Sequence, residues 1–216
     1  MPTHRLRLHT DRFAAAEGGT LAPRACALYV VAGSVIVRAG GAAASLDANG
    51  AWCGATGATI VAGKAGARVL RWELAGAAAA AAAAPCAATS LTLEAPIDLP
   101  APDVLMRCDR VDFPPGGEAL THVHQGPGIR CLIAGGIRID TQGGSHAYGP
   151  GEAWFEAGPD PVYAAASRDE PSAFARVMIL PRSCHGRSSI RYVRPEDADK
   201  PKTQSYQIFA DEFIDP

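Results

Sequence analysis

Apolar residues in this chain gather in short runs. Among them are 28–33 (LYVVAG), 34–41 (SVIVRAGG), 68–74 (RVLRWEL), 130–136 (RCLIAGG), 137–144 (IRIDTQGG) and 174–180 (FARVMIL). Gly, Pro, Asn and Asp separate the runs, and helical periodicity is scarce. Many short strands at regular spacing predict an all-β chain built as a sandwich or barrel. The exception is 77–84, an unbroken alanine run between Gly76 and Pro85. Alanine favours helix but buries little surface, so this run reads as a linker or a short surface helix without chemistry. From about Arg191 the chain turns polar and then partly aromatic. Tyr206, Ile208 and Phe213 suit a terminal arm docked on its own barrel or on a second subunit.

The strand program occurs twice. Moving residues 32–55 forward by 102 places Ala32-Gly33 on Ala134-Gly135, Val35 on Ile137, Val37 on Ile139 and Ala51-Trp52 on Ala153-Trp154. Ala67-Arg68-Val69 then matches Ala175-Arg176-Val177 at an offset of 108, which implies six extra residues in the second copy, near 167–171. The matched tryptophans favour duplication over chance agreement among small residues. Two copies of one program imply two similar barrels.

Chemistry concentrates between Asp109 and Gly136. His122 and His124 are one residue apart in a strand-like segment, so they point to the same face. Two such imidazoles can chelate a metal or grip a polar ligand. Together with the turn Gly116-Gly117, Gly135, Gly151-Glu152 and the stretch Glu156–Val162, they resemble the cupin superfamily, specifically a bicupin. The resemblance implies two tandem jelly-roll β-barrels, laid out as 1–75, an Ala-rich linker 76–89, a barrel at 90–185 and an arm at 186–216. It also implies a homodimer. The chain departs from the family at two of its four usual metal ligands. The family's Glu falls on Gly128, and its last His falls near Val162. In the first half Thr20 and Ala22 stand where the His pair would be.

Parity extends the candidate site. If Gly128 faces inward like the Glu it replaces, Arg130 and Leu132 do too, and Glu156 and Asp160 share the parity of Val162. A buried guanidinium is costly unless a carboxylate meets it, so an inward Arg130 calls for Glu156 or an anionic ligand. The first-barrel counterparts are Leu28, Gly54 and Ala58. The polar set is therefore expected in the second barrel only, with the first a structural, apolar partner. Arg130 and Glu156 are the candidate catalytic residues. His122, His124 and Asp160 are the candidates for holding a divalent transition metal. His146 and Tyr148 lie on a strand that can reach the pocket, and Trp154 can wall it, although Trp52 in the same place favours packing. Three readings stand. One is a cupin-type, metal-dependent enzyme (dioxygenase, isomerase or decarboxylase) acting on a small oxygenated or carboxylated molecule. The others are a non-catalytic small-anion binder and a purely structural double barrel.

Composition narrows the setting. The formal net charge is −2 and no basic block stands out, which argues against nucleic acid as a partner. The opening MPTHRLRLHTDRF lacks the apolar core of a secretory signal, and 77–84 is too short to span a bilayer. The six cysteines form no Cys-x-x-Cys pair and several sit in strand-like runs as small buried hydrophobes. A reduced, cytoplasmic protein with a small anionic ligand is the expectation.

Overall fold

The computed structural model describes residues 2–80 and 82–216. The first half forms β1 (His4–Phe13), β2 (Gly18–Leu21), β3 (Cys26–Ala39), β4 (Ala42–Asp47), β5 (Ala51–Gly54), β6 (Ala58–Gly76) and β7 (Ala88–Ile97). The second half forms β8 (Val104–Phe113), β9 (Glu118–His124), β10 (Gly128–Ala134), β11 (Ile137–Thr141), β12 (Gly144–Tyr148), β13 (Ala153–Glu156), β14 (Val162–Ala166), β15 (Ser172–Pro181), β16 (Ile190–Tyr192) and β17 (Ser205–Ile214). The described residues of the alanine run are turn and irregular chain rather than helix; Ala81, within that run, lies outside the described residues, as does Met1. No helix of the described residues is long and apolar enough to cross a membrane.

The fold is all-β, with two tandem jelly-roll barrels. In the first, β3 and β6 are long enough to bend and serve both layers, giving one seven-stranded sheet. The bend needs glycine. Gly33 has φ +76°, and a Cβ there would lie 2.1 Å from the Gly66 carbonyl oxygen. In the second barrel the same corner, at Gly135 with φ +70°, separates β10 from β11. Two five-stranded sheets result, β13-β10-β15-β8-β17 and β12-β11-β14-β9-β16.

Register confirms most of the repeat and corrects one part of it. Leu28 faces Trp52 as Arg130 faces Trp154, and Cys26 faces Gly54 as Gly128 faces Glu156. On the other side, Leu28 faces Arg71 as Arg130 faces Arg176. The offset on that strand is therefore 105 (176 minus 71), not the 108 suggested by Ala-Arg-Val. The short sequence match lies three residues out of register and is a coincidence, and the second copy carries three extra residues there rather than six. β7 crosses the 89/90 division read from sequence and pairs with β1, just as β17 pairs with β8.

The largest apolar core lies between the barrels rather than inside either. Leu6, Leu8, Tyr29, Trp72 and Leu74 of the first pack against Met106, Ile129, Val177 and Ile179 of the second. Trp72 is fully buried there, and its Nε1–H donates to the Ile129 carbonyl at 3.1 Å. Alternation along each strand then sends the opposite set of residues into the barrel interiors.

Candidate functional site in the second barrel

The second barrel encloses a cavity of about 220 Å³. Its walls are apolar and aromatic, with Val111, Phe113, Trp154, Val162 and Phe174 among them. His122, His124, Arg130, Glu156 and Arg176 supply its polar groups. β9 carries the two histidines inward as the two-residue period requires. Val162, where the family's last His would stand, lies directly across from His122 on β14. A methyl-bearing wall thus replaces a ligand.

The hydrogen bonds fix the imidazole tautomers. His122 Nδ1 lies 2.8 Å from the Leu120 carbonyl, which can only accept, so Nδ1 carries the proton and Nε2 the lone pair. His122 Nε2 and His124 Nε2 are 3.2 Å apart, so His124 donates through Nε2. His124 Nδ1 then accepts from the Ser189 hydroxyl at 3.3 Å. Both rings are neutral. Burial pushes His122 below its ordinary value of 6.5. Burial, reinforced by the nearby Arg130 and Arg176 cations, pushes His124 well below it.

Arg130 folds back beside Gly128. A Cβ on Gly128 would meet the Val177 carbonyl oxygen at 2.5 Å, Met178 Cγ at 2.8 Å and Arg130 Nη1 at 3.0 Å, and that Nη1 donates to the Gly128 carbonyl at 2.7 Å. The strand is packed too closely there for the carboxylate side chain that the resemblance would place at this position. The Arg130 side chain is 1% exposed, and Nη2 lies 2.7 Å from Glu156 Oε2. The two atoms form the buried ion pair of the cavity. Glu156 is held from the other side by Trp154, whose Nε1–H donates to Oε1 at 2.8 Å. Desolvation lowers the Arg130 pKa to about 10, with Glu156 opposing the shift; the group stays cationic at neutral pH. A second buried pair stands behind the first. Arg176 Nε donates to Asp109 Oδ1 at 2.6 Å and Nη2 to Oδ2 at 3.0 Å.

A divalent metal is only half provided for. Two nitrogens each about 2.0–2.1 Å from one ion lie roughly 2.9–3.4 Å apart at ligand angles, and the two Nε2 atoms meet that condition. Leu120 and Ser189 can steady the far side of each ring, as ligand histidines require. The third donor fails. Glu156 Oε2 is 3.4 Å from His124 Nε2, but it is engaged by Arg130. An ion there would face a buried guanidinium across one shared oxygen, a repulsion strengthened by the low local dielectric. Among the described residues no group of three or more His, Cys, Asp or Glu is placed to hold an ion. The described residues supply two such ligands and no third.

Four of the five residues singled out from the sequence thus meet: His122, His124, Arg130 and Glu156. Asp160 does not join them. It lies past the Gly158 turn, where parity is lost, and its Oδ2 accepts from Gln142 Nε2 at 2.6 Å on the outside of the barrel. His146 is exposed on the edge strand β12. Tyr148 stacks on Trp154 at 4.9 Å, outside the cavity. The sequence reading missed Arg176 and Asp109. An arginine inside the apolar run 174–180 was the available signal. It also missed the C-terminal segment: Tyr192, Lys202, Gln204 and Tyr206 line the mouth. Nothing local marks a tail residue as a cavity wall.

The expectation of an apolar first barrel needs correction. Arg71 is buried inside it, bonded to Asp11 by Nε at 2.6 Å and Nη2 at 3.2 Å, and by Nη1 to Glu73. These residues lie on the inward parity of β1 and β6, beyond the three positions by which the barrels were compared.

No protein-family model and no characterised protein sequence matches the chain. Solved structures do. A variant of oxalate decarboxylase OxdC from Bacillus subtilis is similar at TM-score 0.67 with 14% identity, over 93% of this chain and 74% of that one. A second structure of that decarboxylase, from a study of its Mn(II) centres, gives TM-score 0.66 and 13% identity, over 93% of this chain and 74% of that one. AerE from Microcystis aeruginosa gives TM-score 0.58 and 12% identity, over 82% and 88%. The chain has the bicupin fold.

Proposed function

We propose that this protein is a cupin-type enzyme that moves a proton on a small oxygenated or carboxylated molecule bound in the second-barrel cavity. The observation that carries the reading is the convergence, in one apolar cavity, of the imidazole pair His122–His124 and a buried guanidinium held by Glu156. Arg130 would orient a substrate carboxylate or carbonyl oxygen and stabilise negative charge as it develops there. His122 Nε2 would take the proton from the neighbouring carbon and return it to the same or another carbon. Glu156 holds Arg130 in place. This is isomerase chemistry, and the oxalate decarboxylase likeness supports a small oxygenated acid as the ligand class.

Deuterium wash-in from solvent, followed by NMR on a panel of 2-oxo acids, tests the proposal. Exchange is expected with the native protein and should fall about 10²–10⁴-fold in His122→Gln. A panel with no exchange ends the enzyme reading and leaves the binder, which thermal shifts with the same acids would report. The 3.2 Å imidazole spacing favours a second reading, a divalent ion on His122 and His124 completed by ligand and solvent. Elemental analysis of untagged protein separates the two: stoichiometric metal supports the second, trace metal with exchange intact supports the first. A homodimer in a reducing cytoplasm belongs to the same proposal, and light scattering tests the oligomer.

A further inference from the structure

The C-terminal segment adds one strand to each sheet of the second barrel. β16 lies beside β9, with Ile190 across from His124 and Tyr192 across from His122. β17 lies beside β8 in the other sheet. The connection at 193–204 must therefore pass from one sheet to the other, over the open end of the barrel. It is tied down there. Thr203 Oγ1 donates to the Glu118 carbonyl and accepts from the Glu118 N–H, both at 2.8 Å. Lys202 Nζ donates to the carbonyls of Asp197 at 2.5 Å and Ala198 at 3.0 Å.

Next to that anchor, Gln204 lines the cavity, and its Oε1 is buried without a hydrogen-bond partner. A buried acceptor without a donor is costly, so the atom calls for one. The cavity's buried ion pair, Arg130 Nη2 with Glu156 Oε2 at 2.7 Å, lies on β10 and β13. One site thus presents a cation where the ligand needs an acceptor, an amide from the crossing segment where it needs a donor, and apolar walls between.

We infer that the ligand is a hydroxy acid: a carboxylate at Arg130, an apolar body, and a hydroxyl read by Gln204. A hydroxyl satisfies the amide in either orientation, since it both donates and accepts. Gln204 is then the residue that sets specificity. The inference rests on the reading of this cavity as the ligand site.

Isothermal titration with two matched pairs tests it: 4-hydroxyphenylacetate against phenylacetate, and 6-hydroxyhexanoate against hexanoate, the second pair being flexible enough to adapt its reach. For the native protein the hydroxy member of at least one pair should bind tenfold or more tightly. In Gln204→Leu, of similar volume, that preference should fall to within twofold while the deoxy acid binds as before. Equal binding of both members of each pair, or a preference that survives Gln204→Leu, overturns the inference and leaves the site reading intact. If none of the four acids binds, the inference fails together with the site reading beneath it. Circular dichroism melts of the variant confirm that the segment still folds.

Discussion

The two barrels share one strand register and differ in what fills them. At the position where the second barrel has Arg130, the first has Leu28; where the second has Glu156, the first has Gly54. At Gly54 the vacancy is taken by the neighbouring indole, since a Cβ there would lie 2.5 Å from the Trp52 ring. At Glu156 the equivalent Trp154 stays clear and donates to the carboxylate. The segment that follows each barrel closes it, but with different results. Pro85 approaches Gly19 so closely that a Cβ would meet its carbonyl at 1.8 Å, and Cys86 joins the first barrel's core. The first barrel is plugged. In the second, the crossing segment stands off and leaves a cavity lined by Gln204 and Tyr192. One architecture thus yields a packed body or a ligand site according to what the cap inserts.

The contrast at 130 and 156 can be broken most severely by removing one charge. Glu156→Ala leaves Arg130 buried and uncompensated, and should cost about 3–5 kcal/mol in urea unfolding. The double change Arg130→Leu with Glu156→Gly installs the first-barrel pair and should recover most of that loss; a double cycle with additive costs would sink the pairing. The matched buried arginines come next. Asp109→Ala strips Arg176 of its bidentate partner and should cost about 3–5 kcal/mol. Asp11→Ala should cost less, about 1–3 kcal/mol, because Arg71 keeps Glu73. Equal losses would show that the two pairs are not held differently.

Trp72→Phe tests the seam between the barrels. It removes the donor to the Ile129 carbonyl and should cost about 1–3 kcal/mol, with both barrels still melting together. The smallest effect is on pH. His9, His122 and His124 all sit below their ordinary value of 6.5 when folded, each chiefly through burial. The unfolded chain therefore binds more protons as pH falls below about 6.5, and stability should decline from there towards the lowered folded values. His9→Gln should remove only the first-barrel share of that decline. A melting temperature flat between pH 7 and 5 would contradict the neutral, buried imidazoles.

Much of this was legible in the chain. Strand alternation put His122 and His124 on one inward face and, with Gly128 inward, turned Arg130 inward too, and a buried guanidinium called for Glu156 or an anionic ligand. The offset of 102 named the correct counterparts Leu28, Gly54 and Trp52. Other features were not legible. Asp160 was lost because a Gly-Pro turn erases parity. The first barrel's Arg71 and Asp11 went unnoticed because the comparison was confined to three positions. The alanine run reads as a spacer, yet the chain after it plugs a barrel and supplies β7 to the first sheet.

The order of apolar and polar positions determined an all-β chain, its repetition two similar halves, and its parity four of the inward residues of the second, because a strand's period leaves each side chain only two directions. Which barrel would hold a cavity was decided in three dimensions. It depends on where Pro85, Cys86 and Gln204 come to rest, on a guanidinium folding back to the Gly128 carbonyl, and on contacts between residues far apart in the chain, none of which a local period encodes.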